Sequence, residues 1–390
     1  MTNRLRIRLE RTPLLTAVVY TGVGMLPLFL VSAQILQLDR DIGFGVAQLG
    51  LATATFFGAA ALAANPAGRL VSRHGPSVGI RSGSVATVVA CVMAGTSSVP
   101  WLIPVATLLG GIGNGLIQVA SNIAIFDGVH RTRQGIAFGS KQASVPLASV
   151  VAGLSLPIIG LVFGWRWVFA GAGLLALALT ISTPRLSVKG FERRVEAAVG
   201  LPTRSMLWLG LAGITGAAAG NGLSLFIVPS AVDIGIGEGP AGGVLAACSL
   251  LVVALRIGAG WLVDRRGSTG HGEMAWMAGI GALGAFVLML AASPAVYLIS
   301  MPLALLGAWG WPGIIFFTVV HSYPEFPAKA SGLVLSSNLT GTMMGPLIVG
   351  AFAGSANYPG AWLFVSVCAT VATLGFVMSR RTTSGDLLRG

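Results

Sequence analysis

The chain has 390 residues, 54% of them hydrophobic and only 9% charged, where soluble domains carry about a quarter charged residues. Its formal charge of +12 would suit nucleic acid, but the cations sit in short segments between long apolar runs, which speaks against a nucleic-acid partner and for a lipid bilayer. Cys91, Cys248 and Cys368 stand singly inside apolar runs, so they read as small packing residues, with no disulfide framework, metal site or cofactor implied.

Arg4, Arg6, Arg8 and Arg11 precede an apolar run, as in a signal peptide. That run, Pro13 to Leu36, is about 24 residues, long enough to cross a hydrocarbon core that needs about 20. It reads as the first spanning helix. Further spans are expected at about 45–67, 78–97, 100–126, 135–162, 165–183, 205–230, 240–263, 275–292, 295–319, 330–354 and 360–379. The fold class is therefore all-α and integral to the membrane, with twelve transmembrane helices. Residues 184–204, with Arg185, Lys189, Arg193, Arg194 and Arg204, read as a basic linker between a six-helix half at 1–183 and another at 205–390.

Of the 24 Lys and Arg residues, 20 fall in the termini and alternate loops, Arg40 and Arg166 fall in the opposite loops, and Lys141 and Arg256 fall inside spans. The positive-inside rule then places both termini in the cytoplasm, with the chain in the inner (cytoplasmic) membrane.

The halves echo each other. Gly68-Arg69-Leu-Val-Ser72-Arg73-His74-Gly75 is matched by Gly260-Trp-Leu-Val-Asp264-Arg265-Arg266-Gly267, and both read as turns between spans. Leu26-Pro-Leu28-Phe29-Leu-Val31 likewise matches Leu223-Ser-Leu225-Phe226-Ile-Val228, and Arg133-Gln-Gly135 resembles Ala330-Ser-Gly332. Parallel repeats of this kind occur in secondary transporters. The two turns, with Phe163-Gly-Trp-Arg166-Trp-Val-Phe before the sixth span, resemble the signatures of the major facilitator superfamily. The resemblance covers nearly the whole chain. It implies two pseudo-symmetric six-helix halves, with Gly68, Arg69, Arg73, Gly75, Gly260, Asp264, Arg265 and Gly267 as a conformational motif. The first copy departs from it at Ser72, where the family carries an aspartate. Gly341-Thr-Met-Met-Gly345-Pro346 resembles an antiporter motif, but the fifth span, where that motif is diagnostic, has Ser144-Val-Pro146 without the pattern.

All twelve carboxylates fall in loops or at helix ends. A carrier that moves protons on its own side chains usually keeps an ionisable group in the membrane, so a proton-carrying carboxylate there is not expected. Arg256 lies eight residues before Asp264, about 12 Å inside the helix, with no carboxylate near it in sequence. Its counter-charge is expected to arrive as substrate, and the alternative is bonding to backbone carbonyls or snorkelling. Members of the family that handle monocarboxylates, oxalate, cyanate or nitrate carry an arginine at a similar place, and this chain resembles them there. Lys141, about 9 Å into the fifth span, is expected to share a cavity with Arg256, an anion lying between them. The alternative is a lysine reaching the headgroups. Asn338 is its repeat counterpart.

Asn114, Gln118 and Asn122 share a helix face. The family fold adds Tyr20, Asn221, Trp309 and Trp311 as cavity walls, with interhelical hydrogen bonding or packing as the alternative for each. His74, His130, His271 and His321 are expected at solvated helix ends.

The expected function is secondary active transport of a small organic anion, a monocarboxylate first, by alternating access, as proton symport or anion exchange. The expected partners are that anion, protons and the bilayer, and the expected unit is a monomer. The alternative is an efflux pump for drugs or metabolites. An enzyme or receptor is a third class, but the sequence shows no HExxH, P-loop or nucleophile grouping.

Overall fold

The computed structural model describes residues 3–44, 46–186, 204–236, 238–324, 326–354 and 357–386. Among these residues there are twelve long helices: α1 (Asn3–Ala33), α2 (Val46–His74), α3 (Pro76–Gly95), α4 (Leu102–Gly128), α5 (Gln134–Ser155), α6 (Trp165–Ile181), α7 (Arg204–Asp233), α8 (Glu238–Arg266), α9 (His271–Leu290), α10 (Pro294–Gly310), α11 (Pro327–Gly354) and α12 (Tyr358–Asp386). Eleven spans meet the length and hydropathy of a membrane crossing, and α6 is a shorter apolar helix of the same kind. Helices keep every backbone group paired internally, which lipid demands. Leu62, Leu174, Ile299 and Trp276 stand well exposed on the outside, as lipid-facing side chains do.

Three features differ from the sequence expectation. A short amphipathic helix, Ile35–Ile42, follows α1 and ends at Gly43 in the left-handed conformation. The tenth span is not one rod: α10 stops at Gly310, a 3-10 turn covers Trp311–Gly313, and Ile315–Ser322 resumes the helix. Pro312 explains the stop, because it offers no N–H to continue the ladder. The two repeated "turns" are mostly helix, since α2 runs to His74 and α8 to Arg266; only Gly75 (φ 85°) and Gly267 (φ 59°) turn the chain. Both φ values lie in the region that favours glycine. The linker expected at 184–204 falls, from 187 to 203, outside the described residues.

Within each half the helices approach closely at glycines. A Cβ on Gly111 of α4 would meet the backbone of Phe56 in α2, and a Cβ on Gly341 of α11 would meet Ile214 in α7. Small residues at such crossings are how membrane helices gain van der Waals contact where lipid offers no hydrophobic drive. Trp165, Trp311 and Trp362 fill the largest fully buried positions.

Across the halves, α5 packs along α8 and α2 along α11. These contacts are tight at the end of the bundle that carries both termini. There, a Cβ on Gly260 would run into the backbone of Gly135, and the Ser336 hydroxyl donates to the Ala61 carbonyl at 3.0 Å. At the opposite end, Asp41 of the short helix accepts from Trp165 Nε1 at 2.8 Å and pairs with Arg166 at 3.5 Å, fastening that helix to α6. The halves themselves part at this end.

His271 corrects another expectation. It is buried, with Nδ1 at 3.0 Å from the Thr269 hydroxyl and Nε2 at 3.2 Å from the Ser379 hydroxyl. It ties the start of α9 to α12 and is not a solvated loop residue.

Candidate functional site

The gap between the halves is a cavity of about 920 Å³. Its outer part is lined by Ser32, Leu49, Gly350 and Ala353, which lie at helix ends opposite the termini, so it opens on that side. Phe29, Phe57, Leu225, Phe226 and Met343 make its walls apolar. Polar groups gather deeper: Asn114 and Gln118 on α4, Gln142 on α5, Asn221 on α7, Asn338 and Thr342 on α11, and Arg256 on α8.

Arg256 is held by the shape of its neighbours. Glycine at 139 lets α5 approach the Arg256 carbonyl, and glycine at 313 lets the broken tenth span approach Arg256 so closely that a Cβ there would lie 3.0 Å from the Arg256 Cβ. Arg256 is 2% exposed. Its Nε and Nη2 donate to the Trp309 carbonyl at 3.1 and 2.7 Å, and Nη1 donates to the Gln142 carbonyl at 2.7 Å. It also lies 5.6 Å from the Trp309 ring centre, within cation–π range. These carbonyls, the expected alternative for this residue, take three of the five N–H donors of a guanidinium and leave the charge uncompensated. Among the described residues lining the cavity, Arg256 is the one that carries charge, and Asp and Glu are absent.

The structure brings together seven of the nine candidate binding residues: Arg256, Asn114, Gln118, Asn221, Trp309, Trp311 and Asn338 all line the cavity. Tyr20 does not. Its hydroxyl donates to the Leu179 carbonyl at 2.6 Å and lies 3.4 Å from Thr183 Oγ1, so it pins α1 to the end of α6. Lys141 is also absent from the lining. It is fully buried, donating to the Gln118 carbonyl at 3.1 Å and to Asn122 Oδ1 at 2.5 Å, with its Nζ 5.2 Å from the Phe316 ring centre. The two cations therefore do not face each other across one space: the Lys141 side chain turns to α4 and ties α5 to it. Gln142, its neighbour, takes the place on the cavity wall that sequence reasoning gave to the lysine. Its signal was an amide in an apolar span, overlooked beside a charge. Thr342 was missed too, and it accepts from Asn221 Nδ2 at 3.1 Å.

Of the motif residues, Asp264 does the most. Its carboxylate accepts from the backbone N–H groups of Gly135 and Ile136, both at 2.8 Å. Those are unpaired donors at the first turn of α5, where a negative charge is also favoured by the helix dipole. Gly260, one turn earlier, makes the close α5–α8 contact, and Arg265 stacks 5.1 Å from Trp261. In the first copy, Ser72 donates to its own Arg69 carbonyl at 2.8 Å, while Arg69 and Arg73 are exposed beside buried Gly68. Only the second copy bridges the halves through its acidic position.

Among the described residues, twelve helices form two like halves, closed against each other at one end and open to a polar-floored cavity at the other, an arrangement known from carriers that expose one site to alternate sides of a membrane. The chain belongs to the Major Facilitator Superfamily, whose model matches residues 14–336. It resembles the uncharacterized transporter YhhS of Escherichia coli K12 at 31% identity over 115 residues, 28% of this chain and 27% of that one. The chain thus spans about a quarter of the length of the curated relatives it matches. In fold it is similar to the E. coli fucose:proton symporter FucP (TM-score 0.74, 16% identity, 95% of this chain and 99% of that one). A second FucP structure, in the outward conformation, gives the same score at 17% identity, again over 95% of this chain and 99% of that one. The human organic anion transporter MFSD10 also has a TM-score of 0.74, at 13% identity, over 94% of this chain and 99% of that one. At these identities the likeness is one of fold alone.

Proposed function

We propose that the chain is a secondary transporter for a small organic anion, a monocarboxylate first, in the cytoplasmic membrane with both termini in the cytoplasm. The observation that carries this reading is the lone uncompensated charge of Arg256 at the cavity floor. A buried cation with no counter-charge beside it is costly, and an incoming carboxylate offers the charge-assisted pairing that offsets this. The cavity opens away from the termini, so this state receives its ligand from outside the cell. Neutralising Arg256 at the α5–α8 contact then lets the halves rock, closing the outer end and parting Gly135 from Gly260. The cycle returns by carrying a proton with the anion or by exchanging one anion for another.

The test is a thermal-shift screen of purified protein in detergent with short monocarboxylates, dicarboxylates, inorganic anions and cationic drugs, wild type beside Arg256→Gln. A bound ligand raises the melting temperature by mass action. Stabilisation by one anion class that disappears in the variant supports the reading. Stabilisation by cationic or neutral drugs, equal in both proteins, overturns it in favour of efflux.

A further inference from the structure

We infer that the transported anion is a hydroxylated carboxylate, whose hydroxyl groups pair with a cluster of unpaired amides that the N-terminal half brings to the cavity. This rests on the anion reading above and narrows it. The side-chain oxygens of Asn114, Gln118 and Gln142 are buried without a hydrogen-bond partner. All three residues line the cavity, and all belong to the N-terminal half, facing the half that carries Arg256. They are 0%, 5% and 7% exposed. The Asn114 amide nitrogen fares little better, since its hydrogen bond goes to the thioether sulfur of Met25 at 3.1 Å, a weak acceptor.

Buried polar groups are rarely left unpaired, and the exceptions need a physical reason. Packing is a poor reason here, because an apolar side chain of equal size would fill the same wall without the penalty. Three amides together at the floor of a cavity point to an occupant that completes them. An amide presents an acceptor on one side and two donors on the other, and rotation about its last bond exchanges the sides. A hydroxyl both donates and accepts, so it satisfies either orientation; an ether, an ammonium or a methylene does not. On the opposite wall, Asn338 adds a side-chain amide with no hydrogen bond among the described residues. Carboxylate toward Arg256 and hydroxyls toward Asn114, Gln118 and Gln142 uses both faces, and only an occupant that spans the two halves draws them together on closure.

Selectivity should then be steep. A site built to bond a substrate hydroxyl rejects the analogue lacking it strongly, because the site's own polar groups stay unpaired. The test compares three six-carbon probes by thermal shift and equilibrium binding on the full-length protein in detergent: gluconate, hexanoate and glucose. On wild type, gluconate should bind at least about tenfold more tightly than hexanoate, and glucose should bind weakly. Gln118→Leu should cut gluconate affinity about tenfold and leave hexanoate unchanged, while Arg256→Gln should abolish gluconate binding. Hexanoate binding as tightly as gluconate overturns the hydroxyl inference and leaves the anion reading standing. Glucose binding as well as gluconate, unaffected in Arg256→Gln, overturns the anion reading instead. No gluconate binding up to roughly 10 mM sinks the inference too. The wild-type comparison needs no variant, so it decides even if Gln118→Leu fails to fold.

Discussion

Arg256 grips the Trp309 carbonyl with two nitrogens, Nε at 3.1 Å and Nη2 at 2.7 Å. The carbonyl belongs to the last turn of α10, just before the break at Trp311–Gly313. The arginine therefore joins α8 to the interruption in the tenth span and, through the Gln142 carbonyl, to α5 in the other half. A planar fork suits this task and a point charge does not. Arg256→Lys should keep the charge but lose at least one of these three bonds. Its anion affinity should fall about tenfold, against complete loss in Arg256→Gln. Isothermal titration with the stabilising anion reads both, and an Arg256→Lys variant that binds as tightly as the parent protein would show that charge alone matters at this position.

Lys141 should behave differently. Its ammonium is spent on the Gln118 carbonyl and Asn122 Oδ1, so Lys141→Ala unpairs both acceptors and opens a hole beside Phe316. The expected result is a destabilisation of about 2–4 kcal/mol, seen as a lower melting temperature, with anion affinity changed less than about threefold. A collapse of affinity with normal stability would restore the sequence expectation of two cations sharing one anion.

These two residues show what the sequence could and could not tell. Charge, position in an apolar run and depth from the helix end are one-dimensional, and they made Arg256 and Lys141 look alike. What separates them is rotation about the helix axis and the identity of the facing helix. Arg256 meets a gap between halves, whereas Lys141 meets Asn122 in its own half. Tyr20 failed for the same reason, its hydroxyl turning to α6. By contrast, the spans, the duplicated motif and the amides of α4 were legible, because they follow from run length and periodicity. The break after α10 had its proline in view, but a proline in a membrane helix bends it more often than it stops it.

Asp264 supports a prediction about state. It caps α5 across the divide between halves with two bonds of 2.8 Å, and these exist only while the end bearing the termini is closed. Asp264→Asn keeps the size and weakens the acceptor, removing about 1–2 kcal/mol of charge-assisted bonding. The population of the closed state should drop about tenfold relative to its partner state. Spin-label distances between the ends of α2 and α8 near residues 74 and 266 should show a longer component in the variant. Unchanged distance distributions would mean that the carboxylate does not bias the equilibrium.

The crossing of Gly135 and Gly260 sets a sterner condition on the same equilibrium. Each glycine faces the other's backbone so closely that even one added carbon cannot be accommodated. Gly260→Val should therefore block closure at the end bearing the termini without touching the cavity, whose lining includes neither glycine. The variant should favour the state open on that side, so a cysteine placed in the α5–α8 seam should become labelled by a water-soluble maleimide where the parent protein protects it. Ligand affinity should fall for molecules offered from the opposite face, since the receptive state is then a minor one and apparent affinity scales with its population. Gly260→Ala should show the same changes at smaller amplitude, because one methyl group intrudes on the Gly135 backbone less than the branched valine side chain does. Continued protection of the seam in Gly260→Val would mean that the helices slide past one another to absorb the methyl groups, and that the glycine pair is not what holds this end shut.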